Sequence, residues 1–411
     1  MKIALANTQD INGGAARAAY RLHHALRRSG VDSTMIVNDA RAGDWTVRGP
    51  ENDRQKLIAK LRPTLVARMN PFFKTGNLNI HSPAILPSSW PRRINASDAE
   101  VAHLQWVQGE MMSVEDIGRI RKPLVWTLHD MWAFCGAEHY TEDFRWRDGY
   151  TGGNRPSHES GWDMNRWVWN RKRRAWKRPI HIVTPSRWLA DCARQSVLMR
   201  DWPVSVIPNP IDTDAWQPIE KKWARRLLQL PSDVPLLAFG ALGGERDPRK
   251  GFDLLQEALR QVQGLPGLQL IVFGQLPPCT PRNLGFPIHY TGHLHDDLSL
   301  RALYSAADAV VVPSRQENLV QTAVEAHACG TPVIAFDTSG LRDIVTHRQT
   351  GYLAAAFDPR DMAQGIQWVI EDAARHAALC RQAREDAVAK FSYPVVADQY
   401  KALYARLTEC E

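Results

Sequence analysis

No stretch of this sequence holds the roughly 18 consecutive apolar residues that a membrane-spanning helix needs. The first residues, MKIALANTQDINGG, carry one lysine and then a short apolar run. A secretory signal would need a longer apolar region and a small-residue cleavage site. MKIALANT is therefore expected as a first core strand, and a cytoplasmic location is expected with it. The six cysteines, Cys135, Cys192, Cys279, Cys329, Cys380 and Cys410, are scattered, and none stands in a C-x-x-C pair. That excludes a zinc framework and a disulfide scaffold, and reduced thiols are expected. Neither Gly-x4-Gly-Lys-Ser/Thr nor G-x-G-x-x-G occurs, so no Walker A loop or dinucleotide fingerprint is present. Internal repeats and low-complexity tracts are also missing.

What is present fits a globular chain long enough for two cores. There are 411 residues, 44% hydrophobic and 23% charged. The net charge of +7 suggests an anionic partner. The charge is uneven: NRWVWNRKRRAWKRP, Asn165 to Pro179, holds seven Lys/Arg between Arg166 and Arg178 and no acid. Trp167, Trp169 and Trp176 interleave with them. Two readings stand side by side. The stretch could hold the chain on an anionic bilayer, where cations and Trp rings suit the interface. It could equally be a solvated helix face whose tryptophans pack on their own domain. No nucleic-acid-binding module accompanies the charge, so a nucleic-acid partner is not expected.

Short apolar runs alternate with amphipathic segments. Strands are expected at Ile3–Asn7, Ser33–Val37, Val101–Gln105, Leu124–Leu128 and Ile180–Thr184. A second set is expected at Leu236–Gly240, Leu268–Phe273, Ile288–Tyr290, Ala309–Val312 and Val333–Phe336. Helices are expected at Ala15–Arg28, Phe252–Val262, Leu298–Ala306 and Thr322–Ala328. Brief apolar strands between helices read as parallel sheets covered on both faces. The β-α alternation runs twice, so the fold class is α/β, with two doubly wound domains. The seam falls in VIPNPIDTDAWQP, Val206 to Pro218, rich in proline and turn residues. This divides the chain into 1–207, 208–392 and a C-terminal helix, 393–411, expected to pack back toward the first domain. Residues 40–97, with Pro63, Pro71, Pro83 and Pro87, are expected as loops and short helices.

Four elements carry chemistry. In SRQENLVQTAVEAHACGTPVIAF, Glu317 follows a strand, and Asn318, Leu319 and Val320 are expected to open a helix. The amides of such a first turn, with the helix dipole, make an anion site. Glu325 would lie about 12 Å further along the axis at 1.5 Å per residue. That is roughly the span from a ribose to a sugar across a diphosphate. A hydrolytic carboxylate pair sits closer, about 5 to 10 Å apart. The bland alternative is two surface acids on a helix. The second element, FGALGGERDPRKGFDLLQEAL, is a strand running into a glycine-rich turn with Arg246, Arg249 and Lys250. It reads as a solvated basic loop or, with the glutamates in the same domain, as a diphosphate clamp. Third, Gly13 and Gly14 after the first strand would let a ligand approach the backbone closely. Fourth, LVWTLHDMWAF ends a buried strand at His129-Asp130, a good place for a cleft residue. A histidine satisfied by neighbouring backbone is the alternative.

Together these elements resemble the retaining glycosyltransferases of the GT-B fold, specifically family four. The E-x7-E motif matches Glu317 and Glu325, followed by EAHACGTPVIAF. The K-G turn matches Lys250-Gly251, the Gly-Gly loop Gly13-Gly14, and the interdomain IPN segment Ile207-Pro208-Asn209. WTLHDMW and TPSRWLA look most like the bacterial exopolysaccharide branch of the colanic-acid type. The resemblance covers nearly the whole chain. It implies two Rossmann-like domains with an interdomain cleft, and transfer of a hexose from a UDP- or GDP-sugar to a glycan or lipid-linked acceptor. It implies Glu325 on the donor ribose, Glu317 on the donor sugar, and Lys250 with Arg246 on the diphosphate. His129 would face the sugar, and the amides of Gly14 and of Asn318, Leu319 and Val320 would approach phosphate or sugar. Fixed cations and amides would stabilise the leaving group, so no cofactor and no metal are implied. The sole Asp-x-Asp, Asp212-Thr213-Asp214, lies on the linker. The chain departs from the pattern in two places. The position five before Lys250 is Glu245, with Arg246 beside it, and the first glutamate opens ENLV rather than E-G-F-G. A sugar-nucleotide epimerase of similar fold and a non-catalytic sugar-nucleotide-binding protein are the competing readings.

Overall fold

The computed structural model of the chain describes residues 1–240, 247–277, 284–294 and 296–409. These form two compact units, Met1–Pro210 together with the helical residues from Val396, and Ile211–Val395.

The first unit is built on a parallel sheet of seven strands. They are β1 (Lys2–Ala6), β2 (Asp32–Ile36), β3 (Val47–Arg48), β4 (Val101–Leu104), β5 (Leu124–Thr127), β6 (His181–Thr184) and β7 (Val204–Val206). The spatial order is β3-β2-β1-β4-β5-β6-β7. Period-two alternation sorts the strand residues onto two faces. Ile3, Leu5, Val101, Val125 and Val183 join one core. Helix α1 (Gly14–Arg28) covers that core with Ala19, Leu22 and Leu26. The last helix of the chain supplies Val396, Tyr400, Leu403 and Tyr404 to the same core. Ala6, Ala102, Leu104, Trp126 and Ile182 face the other core. Burying one such aliphatic side chain is worth about 1.5–3 kcal/mol. A one-residue slip would exchange the faces, so the register is firmly set.

Residues 40–97 differ from expectation. They hold the edge strand β3, paired parallel to β2, and a 15-residue helix, α2 (Asp53–Ala67), with Pro63 inside it. Asn52 caps α2 by accepting from the Gln55 amide. Of its residues only Val66 is buried. Helix α3 (Met164–Ala175) follows the long connection after β5 and buries Met164, Val168 and Trp169.

The second unit repeats the plan with six parallel strands. They are β8 (Leu236–Gly240), β9 (Gln269–Phe273), β10 (Ile288–Gly292), β11 (Ala309–Val312), β12 (Val333–Phe336) and β13 (Gly351–Ala354), in the order β10-β9-β8-β11-β12-β13. On one face Leu237, Phe239, Ala309, Val311 and Ile334 pack with Leu255 and Ala258 of α4 (Phe252–Leu259). On the other, Ala238, Val310 and Val333 pack with Leu303 and Tyr304 of α5 (Asp297–Ala306) and Ala323 and Val324 of α6 (Gln321–Ala328). Beyond β12 the chain adds β13, α7 (Pro359–Ile370) and α8 (Ala373–Phe391), none of them anticipated. It ends in α9 (Tyr393–Glu409), with Pro394 in its first turn. No described helix is long and apolar enough to cross a membrane.

Candidate donor site

In each sheet the strand order reverses between the first strand and the one beside it, β1 beside β4 and β8 beside β11. Loops leaving such a pair diverge, and doubly wound folds bind ligands there. In the second unit the loop after β11 carries Glu317. Gly243 and Gly244 of the glycine-rich turn, and Arg246 of the expected clamp, lie outside the described residues. The loop after β8 resumes at Asp247, which caps a single 3-10 turn, Pro248–Lys250. Gly251 closes the turn at φ +63, and a Cβ there would stand 1.9 Å from the Pro313 carbonyl oxygen. Only glycine allows this approach. The Arg315 amide donates to the Arg249 carbonyl at 2.7 Å. The Arg315 guanidinium grips Asp253 through two bonds of 2.8 and 2.6 Å and also donates to the Pro248 carbonyl. That hydrogen bonding, and then Arg315's charge, holds the Asp253 carboxyl below its ordinary range despite partial burial.

The turn is thereby fixed against the loop after β11, and Lys250 reaches Glu317. Its ammonium donates to Glu317 Oε1 at 2.5 Å, and the Ser314 hydroxyl donates to the same oxygen at 3.1 Å. The Glu317 amide donates to Ser339 Oγ at 3.0 Å, while its carbonyl accepts from the Gly340 amide. Glu317 is 8% exposed and Glu325 4%, so neither is a surface acid. The expected helix start is corrected. Asn318, Leu319 and Val320 lie ahead of α6, whose first residue is Gln321, with Val320 at the cap. The tight contacts of Glu317 with Ser339 and Gly340 hold this segment in a loop, so a helical rise does not measure the distance between the two glutamates. Glu325 lies inside α6, and Tyr304 of α5 donates to its Oε2 at 3.0 Å.

In the first unit Gly13 caps α1 at φ 95 and ψ 165, a conformation essentially reserved for glycine. A Cβ on Gly13 or Gly14 would meet open space within 4 Å. The loop leading there is stapled down. Asp10 accepts from the amides of Ile11, Arg41 and Ala42, and Asn7 Oδ1 accepts from the Trp106 amide. His129, half-buried beyond β5, donates through Nε2 to Gln105 Oε1 at 2.7 Å. Burial lowers its pKa to about 4, only partly offset by Asp130. The ring is neutral at physiological pH, with the Nδ1 lone pair unused by any described residue. Burial works to raise the Asp130 carboxyl, but His139, the Trp132 amide and the Trp106 indole outweigh it and hold Asp130 below its ordinary range. Gln105, Tyr304, Ser314, Arg315 and Ser339 were not picked out from the sequence. Arg315, three residues past β11, was the one with a readable signal.

The membrane reading is corrected for two of its three tryptophans, while Trp167 stays partly exposed. Trp169 and Trp176 are 4% and 5% exposed, and the Trp176 indole donates to the Val114 carbonyl. They fill the core because α3 lays that face on the sheet. Lys172 is fully buried, with its ammonium on the carbonyls of Trp132, Cys135 and Gly136, and Arg171 is paired with Glu115. Arg166, Arg173, Arg174, Lys177 and Arg178 remain exposed. The linker Asp212 is spent on a turn, accepting from the amides of Asp214 and Ala215.

Two Rossmann-like domains with built loops at both switch points define a GT-B protein. Residues 12–215 match the family described as Glycosyltransferase Family 4, and residues 235–372 match Glycosyl transferases group 1. Both of its domains thus match glycosyltransferase families, on a fold of the GT-B kind. It is 32% identical over 222 residues to the D-inositol 3-phosphate glycosyltransferase of Stackebrandtia nassauensis, a match covering 49% of this chain and 48% of that one. It is 36% identical over 222 residues to the protein of the same name from Geodermatophilus obscurus, covering 50% and 47%. The chain thus spans about half the length of the curated relatives it matches. Among solved structures it is similar to a sucrose-phosphate synthase from Thermosynechococcus elongatus (TM-score 0.68, 21% identity, all of both chains). It is also similar to HepE of Anabaena in complex with UDP and glucose (TM-score 0.64, 16% identity, 99% of this chain and 100% of that one). At those identities the likeness concerns the fold.

Proposed function

We propose that the chain is a retaining, metal-independent hexosyltransferase that uses a UDP- or GDP-hexose. The observation that carries this is Lys250, held against Glu317 at the carboxyl end of β11 by a glycine-dependent turn. A fixed ammonium there would bind the donor diphosphate and stabilise the charge that develops as the nucleotide leaves. Glu317 would then exchange its ammonium partner for sugar hydroxyls. Glu325 would hold the ribose, and Arg246 and the backbone of Asn318, Leu319 and Val320 would add to the phosphate and sugar contacts. In the first unit the Gly13-Gly14 loop would approach the donor, and the neutral His129 would accept a hydrogen bond from the sugar through Nδ1. That a solved relative in fold binds UDP and glucose supports a UDP-sugar.

For the acceptor, the WTLHDMW and TPSRWLA segments favour a glycan or lipid-linked saccharide of exopolysaccharide or lipopolysaccharide synthesis. The curated relatives, named D-inositol 3-phosphate glycosyltransferases, favour a phosphorylated polyol. The exposed cations of α3 and the turn after it would hold the chain on the inner face of an anionic cell membrane, each contributing about 1 kcal/mol. The test is to incubate the protein with UDP- and GDP-hexoses in chelator and offer either acceptor. Nucleotide release, with a product of the donor's anomeric configuration, is the expected result. A changed sugar nucleotide without release would make the chain an epimerase. Binding without any turnover would make it a non-catalytic sugar-nucleotide-binding protein.

A further inference from the structure

On β4 the side chains of Val101 and His103 share one face of the sheet. On β5 those of Val125 and Thr127 share the same face, the one covered by α1 and α9. Gln105 and His129 continue the two rows just past the strand ends. One chain of hydrogen bonds runs along this face. His129 Nε2 lies 2.7 Å from Gln105 Oε1. Gln105 Nε2 lies 2.9 Å from His103 Nε2, and His103 Nδ1 lies 2.7 Å from the Tyr404 hydroxyl. Thr127 Oγ1 joins His103 Nε2 at 2.8 Å and the Tyr400 hydroxyl at 2.9 Å. Apart from the half-buried His129, every member is at most 1% exposed.

Such a chain has a polarity. A neutral imidazole donates at one nitrogen and accepts at the other, and an amide donates only through its nitrogen. With Gln105 oriented as it is, His129 must carry its proton on Nε2. Gln105 then donates to His103 Nε2, so His103 carries its proton on Nδ1 and donates to Tyr404. Reversing any one bond reverses them all, because a donor facing a donor in a buried site is costly. Burial, which lowers His103 to about 3, keeps that ring neutral.

We propose that Tyr404, on the last helix of the chain, is a positioning residue for His129. Acting through His103 and Gln105, it holds His129 in its Nε2–H tautomer and so presents the Nδ1 lone pair outward. Tyr400 and Thr127 complete the relay at its side. The catalytic consequence rests on the reading of His129 given above; the tautomer itself does not.

The test is nitrogen NMR of the whole protein with labelled histidine, at about pH 7.5, with the His129 signal assigned through His129→Gln. In the wild type, Nε2 is expected protonated and Nδ1 bare. In Tyr404→Phe and in Gln105→Leu, each close in shape to the residue it replaces, His129 is expected to show averaged shifts of both tautomers. In the transfer assay each variant should lose about 5- to 20-fold in kcat while the donor KM stays within about twofold. The double variant should be no slower than Gln105→Leu alone, within about twofold, because both act on one chain. A wild-type tautomer in Tyr404→Phe, or additive losses, would overturn the relay. An intact tautomer coupling with His129→Gln fully active would leave the relay standing and remove His129 from the donor site.

Discussion

The ammonium of Lys250 and the carboxylate of Glu317, 67 residues apart in the chain, meet at 2.5 Å. Glu317 is largely buried, while the Lys250 side chain is a third exposed. Removing the cation leaves the acid with Ser314 alone among the described residues, at a cost of about 1–2 kcal/mol once solvent screening is allowed for. Lys250→Met should therefore lower the melting temperature by a few degrees. It should lower turnover much more, by about 100-fold or beyond, because the leaving diphosphate loses its cation. Thermal melts and initial rates of nucleotide release measure the two effects separately.

Gly251→Ala should be worse for stability than its size suggests. The backbone sits at φ +63, and the added carbon would collide with the Pro313 carbonyl. Strain at such a position costs about 1–3 kcal/mol, and the displaced turn adds to it. The variant should also lose donor affinity, since Lys250 moves with the turn. A melting curve and a nucleotide titration at wild-type levels would show that the turn relaxes freely.

Glu325→Gln keeps shape but removes charge. If the carboxylate holds a ribose, donor affinity should fall roughly 10- to 100-fold, the worth of a charge-assisted hydrogen bond. Tyr304→Phe removes the hydroxyl that Glu325 accepts from. It should cost about 1–3 kcal/mol of stability with a smaller effect on affinity. Equal affinities in wild type and Glu325→Gln would take the ribose away from this residue.

Buried histidines set an acid limit. Burial lowers His23, His81 and His129 to about 4 and His103 and His327 to about 3. Unfolded, each takes up a proton near pH 6.5. Between those values the unfolded chain binds more protons, so stability rises with pH. The melting temperature should be level above about pH 7 and fall steadily as the pH drops from 6.5 toward 4. A flat profile across that window would contradict the neutral, buried state of these rings.

The exposed cations of the basic stretch give a test without catalysis. Arg173→Glu with Arg174→Glu should reduce sedimentation with vesicles rich in anionic lipid and leave neutral vesicles unaffected. Binding that survives the double change, or that ignores lipid charge, would remove this stretch from any membrane role.

The sheets were legible because their strands are short apolar runs between helices. The helix Asp53–Ala67 was not, for a physical reason: it buries almost nothing, leaves Leu57, Ile58, Leu61 and Leu65 exposed, and contains a proline. Its apolar residues therefore do not mark a core face. The strand Gly351–Ala354 begins at a glycine whose added Cβ would stand 2.0 Å from the Val333 carbonyl oxygen. That close approach makes the strand possible, yet a glycine reads as a break. Lys250, Glu317 and Glu325 were singled out by their motif spacing and by the resemblance those motifs carry. Their partners were not, since Ser339 meets Glu317 and Tyr304 meets Glu325 only through folding. The tryptophans misled because a basic, aromatic segment looks the same whether its rings face lipid or core.

The most direct test of a donor site on the second unit is calorimetric titration of UDP and GDP into the wild type, Lys250→Met and Glu325→Ala. One nucleotide should bind the wild type, with the affinity reduced in both variants. No binding of either nucleotide, or wild-type affinity in both variants, would contradict the assignment of Lys250 and Glu325 to a nucleotide-sugar donor.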